Sequence, residues 1–305
     1  MDNFLLLPRA LAATLSDAGF AALVGIALAR LWLGQQVLAE LRVKLRRVSL
    51  ACAALLLLAL CGQVLLATAS MIGTTDPSAV RLQIGAVLTE THAGRNLIAQ
   101  SCAVFLLMLL LVLRRGRDTR ADVWMLLGLV TLLAAIRAGS GHAASEGDFT
   151  LREYVQFVHL ASIAVWAGSV IVAGLLALPA LLRERLTEAI GQLMRRLSSS
   201  VTVALLFVVL SGVYNAWHGL GGSIKPLAGT QWGYLLDAKM VLVLVALAMG
   251  LLNRRVLRRN PTLTLSEAGS LTTMMLAEAV VMLLILTVSA FLANSPPADM
   301  STMSM

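Results

Sequence analysis

The sequence predicts an all-α polytopic membrane protein, a bundle of eight transmembrane helices, and three observations carry that reading. First, 59% of the 305 residues are hydrophobic and only 13% are charged, with a mean hydropathy of +0.86. A soluble domain carries about 25% charged residues. Second, Leu, Ala and Val dominate eight apolar runs, each near the roughly 20 residues a helix needs to cross a bilayer. Alternating segments of the kind that build a transmembrane barrel are absent. Third, the net charge of +8 sits in short basic clusters between the apolar runs. That pattern sets membrane orientation. It argues against nucleic acid as a partner and for the lipid bilayer.

The runs follow in order. The first is 17–39, followed by the basic segment LRVKLRR, and the second is 49–70, ending in the turn-rich SMIGTTDPSA. Residues 80–95 are amphipathic and lead into the third run at 96–113. RRGRDTR precedes the fourth, 122–139, which ends at SGHAASEGD. The fifth is 152–182, and the amphipathic stretch 183–196 after it extends helix five or helix six. The sixth, seventh and eighth are 197–217, 232–252 and 267–293. The chain reads as one membrane domain over 1–305, with a Met-rich tail at 298–305. The opening MDNFLLLPRALAATLSD has no basic n-region and no small-residue cleavage site, so no signal peptide is expected. Cys52, Cys61 and Cys102 lie inside apolar runs without a CxxC pair, as buried free thiols do.

Orientation comes from the Lys and Arg positions. Sixteen of the 24 fall in the odd-numbered connections: Arg42, Lys44, Arg46 and Arg47; Arg114, Arg115, Arg117 and Arg120; Arg183, Arg185, Arg195 and Arg196; Arg254, Arg255, Arg258 and Arg259. Those connections are expected in the cytoplasm. Both termini and the three even connections then face outward.

On this topology all four histidines fall at or near the outer face. His92 precedes the third run, His142 lies in the loop after the fourth, and His218 closes the sixth. His159 lies about two turns into the fifth, roughly 10 Å deep. An intramembrane imidazole is a functional-site hypothesis by default, and neutral imidazole is the commonest metal ligand. A hydrogen-bonded helix end is the plainer reading for His92 and His218. No HxH or HExxH spacing occurs, so a metal site must be assembled from several helices.

The tail adds Met300, Met303 and Met305, whose soft thioethers would select copper(I) as a capture set. An ordinary chain end with chance methionines is the alternative. In the last run Met275, Glu278 and Met282 share a helix face, as packing or as a pathway. A glutamate in mid-span must find a partner; Lys239 and Arg30 are the candidates, with Asp237 beside Lys239 also able to pair across helices.

These pieces resemble the copper resistance protein D family of bacterial inner-membrane proteins. GHA at 141–143, HLASIAVWAGS at 159–169, SGVYNAWHGL at 211–220, TQWGYLLDAKMVLVLVALAMGLLNRR at 230–255 and Glu278 carry the resemblance, which is closest over 122–297. It implies copper transport across the cytoplasmic membrane, inward, beside a periplasmic copper-binding partner protein. It also implies that His142 and His159 are ligands for Cu(I) or Cu(II). No enzymatic activity is expected. The competing readings are a haem-carrying membrane oxidoreductase, in which paired histidines hold the haem, and a copper-binding sensor that moves nothing.

Overall fold

The computed structural model describes residues 3–33, 39–114, 119–140, 150–222, 227, 229–260 and 262–295. The described residues form helices joined by short turns, with no strand among them. They are α1 (Asn3–Leu33), α2 (Ala39–Ile72), α3 (Pro77–Glu90), α4 (His92–Leu113) and α5 (Arg120–Ala138). Next come α6 (Leu151–Val172), a π-helical turn (Ala173–Ala177) and α7 (Leu178–Arg183), which make one continuous rod. The last are α8 (Thr187–Gly219), α9 (Gln231–Arg259) and α10 (Leu265–Asn294). Eight of these units are long and apolar enough to cross a membrane, with α6 to α7 counted as one. The short α3 is the amphipathic segment expected near 80–95.

The helices overrun the apolar runs. α1 is helical from Asn3, not from 17, and the basic segment after it is the first turns of α2 rather than a loop. α8 takes in most of 183–196, starting at Thr187, and α9 continues to Arg259. Backbone hydrogen bonding does not stop where hydropathy drops, because long basic side chains carry their charge to the interface while their stems stay apolar. Within α1 the polar interruptions have partners. Arg9 Nη1 donates to Ser70 Oγ at 3.4 Å, and Gln63 Nε2 donates to the Ala12 carbonyl at 3.4 Å.

Helix starts are fixed by caps. The hydroxyls of Thr91, Thr119, Thr150, Thr230 and Thr264 accept from the backbone N–H of Gly94, Asp122, Glu153, Gly233 and Glu267. Such a cap is worth about 1 kcal/mol. Asp76 caps α3, with Pro77 in the first turn. Hydrogen bonds from the Ser78 hydroxyl and from the Ser78 and Ala79 backbones hold its carboxyl below the usual carboxylate range.

The spans alternate in direction. Arg196 Nη1 donates to the Trp32 carbonyl at 2.7 Å, and Arg254 Nη1 donates to Thr202 Oγ1 at 3.0 Å. These bonds gather the basic clusters at one end, the arginine end. At the other, Asn96 Nδ2 donates to the Ile136 carbonyl at 2.7 Å, and Gly219 lies against Trp232. His92 and His218 are at this histidine end.

The α6 to α7 rod has the most enclosed apolar stretch of the eight spans and α9 the least, so the rod is the axis of the bundle and α9 is peripheral. Its backbone touches that of α1. A Cβ on Gly25 would lie 2.0 Å from the Gly168 carbonyl oxygen, and one on Gly168 would lie 1.9 Å from that of Ala21. Small residues at a crossing let two spans approach this closely. Further along, Pro179 has no N–H to continue the ladder, and the rod widens into the π turn just before it. That turn sets Gly174 against α10, where a Cβ would lie 2.5 Å from the Met275 carbonyl oxygen. Two apolar cores result. One joins α1, α2 and the rod to α8, α9 and α10 around Trp166; the other joins α1, α2, α4 and α5.

Gly25→Ala and Gly168→Ala should therefore each destabilise the bundle by at least the ~3 kcal/mol at the upper end of ordinary overpacking. Gly128→Ala, where nothing lies within 4 Å of an added Cβ, should not. Thermal unfolding in detergent measures the difference.

Candidate functional site

His159 lies eight residues into α6 from the histidine end, half-buried against α8. Its Nδ1 is 3.0 Å from Ser211 Oγ. That hydroxyl is already committed, since it donates to the Phe207 carbonyl at 2.5 Å. It therefore meets the ring as an acceptor, and the hydrogen-bond network assigns the proton to Nδ1. Nε2 keeps its lone pair. Ser211 is buried, and the next residue, Gly212, presents no side chain where the ring packs; a Cβ there would lie 3.5 Å from Cε1. One turn nearer the histidine end, Asn215 Nδ2 donates to Gln156 Oε1 at 2.9 Å. Two polar bridges thus fix α6 against α8 in both depth and rotation.

Two opposite charges meet between α1 and α5. Arg137 of α5 forms an ion pair with Asp17 of α1, donates to Ser16 Oγ at 3.0 Å, and stacks its guanidinium 5.2 Å from the Phe20 ring centre. Lys239 of α9 is close enough to act electrostatically on both Asp17 and His159. Opposite charges inside a membrane domain are held by mutual pairing, and here the Asp17–Arg137 pair ties α1 to α5.

The other sequence candidates take varied positions. His218 ends α8 with its ring centre 4.5 Å from that of Tyr214. His92 is the first residue of α4 and exposed. Asp237 is exposed on α9. Met275, Glu278 and Met282 are all buried on one face of α10. Glu278 accepts its hydrogen bond from Asn253 Nδ2 at 2.9 Å, so its bonding partner is an amide of α9 rather than Lys239 or Arg30. His142, Met300, Met303 and Met305 lie outside the described residues. Among those that are described, no three His, Cys, Asp or Glu side chains converge in a group that could hold a metal ion.

Sequence reasoning passed over Ser211, Asp17 and Arg137. The signal for Asp17 and Arg137 was available, since each is a charge within or beside an apolar run. Ser211 gave none, because its role depends on how α6 and α8 are rotated against each other.

Fold and site define a polytopic helical membrane protein with its described imidazoles at or near one end. Two family models match it, copper resistance protein D over residues 191–292 and the copper resistance protein D-like N-terminal domain over residues 4–151. Between them they take in most of the chain, which belongs to the copper resistance protein D family. His159 falls in the interval between the two matches. Similar curated proteins include inner membrane protein YebZ of Escherichia coli K12, 30% identical over 154 residues. That stretch is 50% of this chain and 51% of YebZ. Copper transport protein CutJ of Bacillus subtilis 168 is 29% identical over 178 residues, 57% of this chain and 32% of CutJ. The matched stretch thus spans about half of one relative and a third of the other. No solved structure matches the chain.

Ser211→Ala should release the ring, so that the Nδ1-protonated form of His159 gives way to a tautomer mixture in ¹⁵N-histidine NMR spectra. Ser211→Thr should keep the Nδ1-protonated form. An unchanged spectrum in Ser211→Ala would contradict the assignment.

Proposed function

We propose that this protein transports copper into the cytoplasm of a bacterium, with the histidine end periplasmic and the arginine end cytoplasmic. The observation that carries the reading is the His159–Ser211 bond, in a chain whose family is named for copper resistance. An imidazole anchored through Nδ1 is a ligand with its Nε2 lone pair set in advance, and a partner of this kind typically contributes 10–100-fold to metal affinity. The basic clusters at the opposite end support the orientation.

In this reading copper arrives from a periplasmic copper-binding protein or is collected by Met300, Met303 and Met305. It is bound by His159 and His142, with His92 and His218 completing the entrance. Passage inward runs by Asp237 and Lys239 and then along the Met275, Glu278 and Met282 face. The CutJ name, that of a copper transport protein, supports transport over a sensor that moves nothing.

Two measurements test this. Cells expressing His159→Ala or His142→Ala should lose the copper accumulation that the wild type confers. A chain truncated before Met300 should lose it only at low external copper. Accumulation unchanged in the His142/His159 double variant would overturn the site. For orientation, Lys225→Cys should react with a membrane-impermeant maleimide in intact cells and Arg117→Cys should not; the reverse would invert the topology.

A further inference from the structure

A second feature lies deeper in the bundle. A cavity of about 90 Å³ opens between α6, α8, α9 and α10. Its lining includes Trp166, Met194, Asn253, Arg254, Met275 and Glu278. Trp166 is one α6 face along from His159, at i+7, so the cavity begins about 10 Å further from the histidine end.

The lining is poorly matched to an apolar void. Asn253 is 3% exposed, and its Oδ1 has no hydrogen-bond partner among the described residues. Its Nδ2 is spent on Glu278 Oε2. The other carboxylate oxygen, Oε1, is turned toward Gly250, which also lines the cavity and where a Cβ would lie 3.6 Å away. A buried acceptor without a partner costs about 1–3 kcal/mol, and a buried carboxylate needs a counter-charge or a proton. The nearest cation in the lining, Arg254, is at the rim and donates to Thr202. Two thioethers, Met194 and Met275, complete the set; both are buried. Carboxylate and amide oxygens beside two thioethers are Lewis bases of mixed hardness that supply one negative charge. Thioethers favour a soft monovalent ion over sodium or magnesium. The volume holds an ion and one or two waters, each of which occupies about 30 Å³.

We propose that this cavity is a second copper(I) site, a stopping point between His159 and the arginine end, with Glu278 and Met275 as its principal ligands and Asn253 and Met194 assisting. The proposal rests on the reading that the chain carries copper, and it adds a defined stop, a donor set and a stoichiometry of two. Trp166 forms part of the wall, so its fluorescence reports occupancy.

The test uses the detergent-purified full chain with silver(I) as a redox-stable substitute for copper(I), and then copper(I) itself under anaerobic reducing conditions. Bound metal is counted after dialysis, and tryptophan quenching is followed in parallel. The wild type should bind one ion more than the Met275→Leu/Glu278→Gln variant. The quenching component that disappears in Trp166→Phe should fall at least fivefold in that double variant. Met275→Cys, which keeps a soft donor, should retain it. His159→Ala should lose a different ion and leave the Trp166 component intact, so failure of the entrance and failure of the cavity are told apart. Both changes in the double variant conserve volume, and its thermal unfolding checks that the bundle is formed. Equal metal content and equal quenching in a folded double variant would overturn the second site.

Discussion

The backbone contact between α1 and α6 governs the rest of the structure. Gly25 and Gly168 leave no room for a Cβ on either side, so the two helices touch main chain to main chain. In a bilayer, apolar side chains gain nothing by leaving lipid for protein, and close van der Waals packing must supply the association. This crossing supplies it at the centre. From there α6 meets α8 and α10, and α1 meets α2 and α5. The two apolar cores are joined through these two helices. The π turn before Pro179 repeats the arrangement against α10 through Gly174.

The same rod carries the chemistry. His159 and Trp166 are seven residues apart on α6, and the Gly168 contact lies two residues beyond the tryptophan. A rigid, glycine-locked axis holds the imidazole at a fixed depth, and Ser211 of α8 then fixes its tautomer. Asp17 and Arg137 pair α1 with α5, and Lys239 of α9 is close enough to act electrostatically on Asp17 and His159. The peripheral α9 brings Asn253 to Glu278, and that bond is a polar link between α9 and α10. The His159–Ser211 pair and the cavity are thus separate polar positions along one helix, with the apolar packing around Trp166 between them.

Much of the fold was legible in the sequence, because eight long apolar runs leave few alternatives. Their ends were not. Hydropathy registers side chains, whereas helices stop where backbone groups find other partners. The threonines at 91, 119, 150, 230 and 264 mark those starts, and they stand outside the apolar windows. Glu278 was legible as a residue that needs a partner, but the partner was misjudged. Lys239 has the complementary charge, yet it is fourteen residues, about 21 Å, along α9 from Asn253. Depth decided the pairing, not charge. His159 stood out by type and place, while Ser211, 52 residues away, could not be linked to it without the helix phases.

The central claim is that the Nε2 lone pair of His159 binds copper. X-ray absorption spectroscopy of the copper(I)-loaded protein tests it most directly. The account predicts outer-shell scattering from a coordinated imidazole that falls in His159→Ala and persists in Met275→Leu/Glu278→Gln. A spectrum with the same imidazole scattering in His159→Ala as in the wild type would contradict it.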